Sequence, residues 1–267
     1  MKNNLEDIVI NSGNVFHYQV VEFLRENGWT VLISPFYNDN LTDKPREIDI
    51  IAEKEFDVYS HGHSWEGTLN VRLFIECKYI NQNTIFWFDK KDYFSAIRRI
   101  MADTGLKHPD ENINITEHRF YKLNKVAKLF ASGKENQEKE FIYKAINQSL
   151  NAMLHSSSRP SIIPSERKGK IKKILKTINY PVILCSSFAD FYQINVDDPD
   201  KKITPIVGNF NLEINYAYLD FEKNPKAGYF LIDIVSFENL SNFLAELEKT
   251  DISIIKNDII WSLRVRK

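Results

Sequence analysis

Cysteine is nearly absent from this chain, with two in 267 residues, Cys77 and Cys185. Two thiols cannot build a disulfide framework or a zinc-type cysteine cluster, and a reduced, cytosolic protein with both thiols buried is the expected setting. Glycine is scarce as well, at 9 residues. There is no glycine-rich phosphate loop, which argues against an NTPase, and no G-x-S-x-G elbow to support a serine hydrolase. No apolar run approaches the roughly 20 residues that cross a membrane. Met1-Lys2-Asn3-Asn4-Leu5-Glu6-Asp7 lacks the apolar region of a signal peptide. Charge of one sign is not in excess either: 35 Lys and Arg against 36 Asp and Glu give a formal net charge of -1. This balance argues against a general basic coat for nucleic acid and does not exclude a local basic groove.

What is present is the composition of a globular protein, 43% hydrophobic and 27% charged, with 18 Phe and 12 Tyr. Phe16, Val20, Phe23 and Leu24 share one face of a helix over 13–28, with Ser12 as N-cap and Gly28 as a left-handed stop. A first strand follows over Trp29–Ser34, and then a polar loop through Pro45. Residues 55–70, with His61, Gly62, His63 and Gly67, read as a loop, and Ile85–Phe88 as a compact apolar burst. Helical spacing recurs over 90–103, 117–131 and 136–154, so the middle third is expected to be all helical. Ser156–Ser165 is the clearest linker-like stretch. Strands return at Tyr180–Ser186, Phe191–Val196, Leu212–Phe221 and Tyr229–Val235, before a helix near 238–249.

The chain is organised around Arg46–Lys78. Side chains alternate faces along a strand. In Glu47-Ile48-Asp49-Ile50 the two acids therefore share a face and the two isoleucines take the other. In Leu73-Phe74-Ile75-Glu76-Cys77-Lys78, Glu76 and Lys78 share a face with Phe74. If these two strands pair, three carboxylates and one ammonium meet at one end of a sheet. Such a group can hold a divalent cation and activate a water beside it. An exposed Glu76–Lys78 pair would be unremarkable, but a strand as apolar as Leu73-Phe74-Ile75 reads as interior, where an ionised pair needs a reason to exist.

Helix, strand, Asp49 strand, Glu76-Cys77-Lys78 strand, helix: this order resembles the PD-(D/E)XK nuclease superfamily, closest to its Mrr-type and Holliday-junction-resolvase-like members. The resemblance covers residues 13–80 well, including the Gly28-Trp29 helix end. It implies a restriction-endonuclease-like α/β fold, a mixed sheet flanked by helices, and Mg²⁺- or Mn²⁺-dependent hydrolysis of a phosphodiester. DNA is the expected partner, with RNA left open and a homodimer allowed. By this resemblance Asp49 and Glu76 would serve metal and catalysis, with Glu47 and the carbonyl of Cys77 as further ligands. Lys78 would orient or polarise the attacking water. The helix departs from the pattern, because His17 stands where relatives carry an acid. His17 and Glu22 are thus accessory candidates. Gln148 is another, because some relatives use a Gln in a helix to contact substrate, with an exposed helix residue as the plainer reading. A catalytically inactive nucleic-acid-binding or protein-interaction module is the alternative.

The run Arg167–Lys176, with Lys168, Lys170, Lys172 and Lys173, is a candidate phosphate-binding patch, with a solvated face as the plainer reading. His61 and His63 lack partners at ligand spacing and read as loop. Three parts are expected: a nuclease-like core over 1–88, a helical segment over 89–155, and a C-terminal α/β part over 156–267. That last part would continue the same sheet or form a small second domain.

Overall fold

The computed structural model describes residues 14–40, 42–60, 64–104, 115–132, 139–157, 159–167, 169–220 and 222–265. The first helix, α1 (Asn14–Glu26), buries Phe16, Val20, Val21 and Leu24. It ends as the glycine signal implies. The Gly28 amide donates to the Arg25 carbonyl at 3.0 Å and the Trp29 amide to the Leu24 carbonyl at 3.0 Å, with Gly28 at φ +78°. These are the two closing bonds of a left-handed helix stop. Strand β1 (Thr30–Ile33) follows.

The segment expected as a polar loop holds a small hairpin, β2 (Phe36–Asn38) and β3 (Pro45–Glu47). The stretch expected as a 55–70 loop is also a hairpin, β4 (Ile50–Tyr59) and β5 (Trp65–Lys78), paired antiparallel. His61 and His63 lie outside the described residues. Gly67 suggests a loop, but it occupies a strand position where the main chain of a neighbour passes close. A Cβ there would stand 2.5 Å from the Lys173 carbonyl oxygen.

Next come β6 (Thr84–Lys90) and α2 (Tyr93–Thr104), a short turn, and the four-residue α3 (Arg119–Lys122). The helix expected over 117–131 does not form. Instead β7 (Lys125–Ser132) pairs antiparallel with β6. Its apolar spacing fits either period, and the open edge of β6 decides between them by taking up the backbone groups. Helix α4 (Lys139–Ser156) is close to the expected 136–154. A small hairpin, β8 (Glu166–Arg167) and β9 (Lys170–Ile171), leads into β10 (Ile174–Cys185). Then follow β11 (Phe191–Asn195), β12 (Thr204–Pro205), β13 (Phe210–Leu219) and β14 (Pro225–Ser236). The chain closes with α5 (Leu240–Leu247), a π-helical turn (Glu248–Ile252) and α6 (Ser253–Val265), the last of which has no counterpart among the elements expected from sequence.

Among the described residues these strands build a ten-stranded mixed sheet in the order β1-β4-β5-β10-β14-β13-β7-β6-β11-β12. Strand β4 runs antiparallel to β1 and β5, while β5, β10 and β14 are parallel. The sheet is hydrophobic on both faces, as parallel strands demand. Leu69, Val71, Leu73 and Ile75 of β5 join a core under α1, α2, α5 and α6, whereas Phe74 joins one under α4. The linker-like stretch is fastened to this second face. The Arg72 guanidinium donates to the Ser156 and Arg159 carbonyls at 3.0 Å each, and the Ile162 amide donates to Glu53 at 2.6 Å. No helix among the described residues is long and apolar enough to cross a membrane.

Candidate functional site

The antiparallel register of β4 and β5 pairs Ile50 with Ile75 and so sets Asp49 beside Glu76. Their side chains and backbones interlock. The Cys77 amide donates to Asp49 Oδ2 at 2.7 Å, and the Asp49 amide donates to Glu76 Oε1 at 3.3 Å. The Lys78 ammonium donates to Glu76 Oε2 at 2.8 Å. The cluster sits at the carboxyl end of β5, level with the ends of the parallel strands β10 and β14, where open α/β sheets commonly bind ligands.

Burial governs the electrostatics. Glu76 is fully buried, and its pKa is pushed up to about 7. Burial is the largest cause. The Lys78 charge opposes it, and the Asp49 carboxylate adds to it. Burial alone would lower the Lys78 pKa, but the attraction and hydrogen bond of Glu76 outweigh that and hold it above the usual lysine range. Two carboxylates side by side are otherwise a repulsive cross-strand pair, so this corner of the sheet is arranged to receive positive charge.

Helix α1 reaches the same corner through His17. Its Nε2 donates to the Asp49 carbonyl at 2.9 Å, and the Ser34 amide donates to that same oxygen at 2.8 Å. His17 thus fixes the main chain of Asp49 and leaves the carboxylate alone. From the other face, Gln148 of α4 donates to the Glu47 carbonyl at 3.0 Å, and the buried Ser149 hydroxyl to the Phe74 carbonyl at 2.8 Å. Ser149 carries no sequence signal beyond being polar on an apolar face. Tyr37, in the stretch expected as a loop, is buried in the α4-side core. Burial first, and then the Glu76 and Asp39 charges, raise its phenol pKa.

Several expectations are corrected. Glu47 does not share a face with Asp49 along one strand: it ends β3, is exposed, and is followed by a break in the alternation. Ile48 packs on the α4 side and Ile50 on the opposite side, where strict parity would have put them together. Glu22 is exposed on the outer side of α1. Cys77 needs no correction: its backbone amide meets Asp49, and its side chain packs on the opposite core as the alternation along the strand expects, where burial raises its pKa and keeps it a thiol. In the basic run, Lys172 is buried against Glu55 and donates to Ser161 at 2.9 Å, so it is not a free phosphate ligand. Lys173 is exposed. Lys168 lies outside the described residues, as does the side chain of Lys170.

Comparisons with protein-family models, curated proteins and solved structures found no match. Geometry therefore carries the functional reading. Among the described residues no three His, Cys, Asp or Glu side chains converge on one point. Asp49 and Glu76 are two hard oxygen donors, a set unsuited to a closed zinc site. It is compatible with Mg²⁺, which keeps several waters and takes one or two carboxylates.

Proposed function

We propose that the chain is a metal-dependent nuclease of restriction-endonuclease-like fold that hydrolyses DNA phosphodiesters at the Asp49–Glu76–Lys78 cluster. The observation that carries this reading is the cross-strand placement of Asp49 against Glu76, with the Lys78 ammonium on the second carboxylate. The chain order supports it: a helix ending at Gly28, a strand, the Asp49 strand, the Glu76-Cys77-Lys78 strand, and a later helix packed over them.

Asp49 and Glu76 would hold Mg²⁺ or Mn²⁺. The bound ion supplies Lewis-acid activation of water and neutralises phosphate charge. The chain's own residues do the rest. The Cys77 amide and the His17 and Ser34 donors fix Asp49 in place. Lys78, released from Glu76 as that carboxylate turns to a cation, would point its ammonium at the attacking water or the developing phosphorane charge. The ion pair between Lys78 and Glu76 favours a second reading, a non-cleaving nucleic-acid-binding or interaction module in which lysine replaces the cation for good.

The test is cleavage of plasmid DNA and of labelled single- and double-stranded DNA and RNA in Mg²⁺ or Mn²⁺. The Asp49→Asn variant keeps an acceptor for the Cys77 amide while losing the charge. Asp49→Asn should lose cleavage at least about 100-fold, in keeping with removal of a metal-holding charge, and should keep its unfolding midpoint. No cleavage of any substrate by the native chain would favour the module, and equal cleavage by the variant would remove Asp49 from the site.

Protonation gives a second expected result. With its pKa near 7, Glu76 holds a proton below that pH and releases it above. A cation must displace that proton, so apparent Mn²⁺ affinity should rise by up to about tenfold per pH unit up to 7 and flatten beyond. Mn²⁺ titration followed by electron paramagnetic resonance between pH 5.5 and 8.5 reads this directly. A flat profile would contradict it.

A further inference from the structure

Two exposed aromatic rings flank the Asp49–Glu76–Lys78 cluster, one beside each of its two acidic segments. Phe36 is 65% exposed and is the cross-strand partner of Glu47, two residues before Asp49. Tyr79 is 70% exposed and directly follows Lys78. A single exposed apolar side chain is ordinary on a protein surface. Two rings set on either side of one polar cluster call for a reason.

Neither ring is carried on a loose segment. Before Phe36, the Pro35 carbonyl accepts from the Ile48 amide at 3.2 Å, and after it Tyr37 is buried in the α4-side core. Before Tyr79, the Lys78 carbonyl accepts from the Ser186 amide at 2.9 Å. After it, the Ile80 amide donates to the Ser186 hydroxyl at 3.1 Å, and the Ile80 side chain is buried. Each ring thus stands in solvent between two anchored neighbours, a platform that gives up little freedom when something flat is laid on it. Positive charge is at hand on the β2–β3 hairpin, where Lys44 and Arg46 are exposed. Other lysines are already engaged, Lys78 with Glu76 and Lys172 with Glu55.

These features discriminate between two forms of nucleic acid. A duplex is held chiefly through its phosphates, which calls for an extended basic surface, and this chain has a formal net charge of -1. A closed duplex also keeps its base faces stacked on one another. A single strand presents free base faces, which aromatic side chains take up with little regard to sequence, and a few basic groups suffice to track its backbone. Resting on the nuclease reading above, we propose that the substrate is a single strand or an unpaired end of nucleic acid. One base lies on Phe36 and another on Tyr79, and the backbone passes the Asp49–Glu76–Lys78 cluster between them.

Fluorescence anisotropy of the full chain in EDTA tests this apart from cleavage. The probes are labelled oligonucleotides of one sequence, as single-stranded DNA, single-stranded RNA and blunt duplex DNA. At least one of the single strands should bind about tenfold or more tighter than the duplex. Phe36→Ala and Tyr79→Ala should each weaken that binding roughly 5- to 150-fold, the span for one stacked base. Phe36→Leu and Tyr79→Leu, apolar but without a ring, should be nearly as weak, whereas Phe36→Trp and Tyr79→Phe should stay within about threefold of the native chain. Both positions are exposed, so every variant should keep the native unfolding midpoint. Duplex bound as tightly as either single strand, no saturable binding of any strand, or leucine variants that bind as the native chain does would overturn the proposal. Ring-dependent strand binding by a chain that cleaves nothing in Mg²⁺ supports the platform and defeats the nuclease reading. Cleavage of duplex that is indifferent to both rings does the reverse.

Discussion

Replacing Lys78 by alanine is expected to lower metal-dependent cleavage by roughly 10²–10⁴-fold, the range for a positioned proton-transfer or charge-stabilising group. Two effects point the same way. The ammonium that would face the water or the phosphorane charge is gone. Glu76, fully buried and already at a pKa of about 7 with Lys78 beside it, loses the charge that opposes its burial. Its pKa should climb further, so at pH 7 the variant holds a proton where a cation should sit. Mn²⁺ affinity in Lys78→Ala should therefore fall at pH 7 and recover partly near pH 9, whereas the catalytic deficit at saturating metal should persist. Separate measurement of Mn²⁺ binding and of the cleavage rate at both pH values distinguishes the two effects. Native-like cleavage at saturating metal would make Lys78 a counter-charge for Glu76 and nothing more.

The largest expected effect on stability lies elsewhere. Arg119 of α3 is buried and bridges two buried acids. It donates to Asp233 through Nη1 at 2.8 Å and to Asp251 through Nε at 2.9 Å, while its own amide binds Asp251 at 3.0 Å. Asn211 adds a bond to Asp233 at 2.9 Å and Tyr180 one to Asp251 at 3.3 Å. Arg119→Ala strands two carboxylates inside the core and should cost about 3–5 kcal/mol, a large part of the roughly 5–15 kcal/mol that holds a domain folded. Arg119→Lys should recover little of it, because a single ammonium cannot reproduce the guanidinium fork.

The pH dependence gives a check on the cause. Burial would raise the Asp251 pKa, but Arg119 and then His118 outweigh it and hold the folded value below the ordinary 3.8. A depressed carboxyl pKa contributes stability that is present above the unfolded value and is lost as pH falls through the folded one. The deficit of Arg119→Ala should accordingly be greatest near pH 7 and shrink towards pH 4, as the stranded acids take up protons. Urea unfolding at the two pH values measures it, and an equal deficit at both would point to lost packing in place of lost charge.

The parts of this architecture that are legible in the sequence are those written in local pattern. Phe16, Val20 and Leu24 mark the buried stripe of α1, Gly28 its stop, and Leu73-Phe74-Ile75 a strand buried on both faces. The alternation along β5 correctly puts Glu76 and Lys78 on the Phe74 side. The expectations that fail do so for particular reasons. Parity cannot be carried across a strand break, and Glu47 and Asp49 fall on either side of one. Gly67 looks like a turn because its role, a close approach of the Lys173 main chain, involves a residue more than a hundred positions away. Lys172 looks like a surface charge because its buried partner, Glu55, is equally remote.

Local sequence thus settles the identity of the acidic and basic groups, the helix and strands that carry them, and the absence of any long apolar span. Those follow from side-chain chemistry and from periods of two and 3.6 residues, which act over a few neighbours. Which of the groups meet is a matter of tertiary structure. The β4–β5 register brings Asp49 to Glu76, the open edge of β6 turns an ambiguous apolar segment into β7, and the folding of β14 and the π-helical turn around α3 sets Arg119 between Asp233 and Asp251. Each of these outcomes is set by pairing between distant segments, where burial and backbone hydrogen bonding outweigh local propensity.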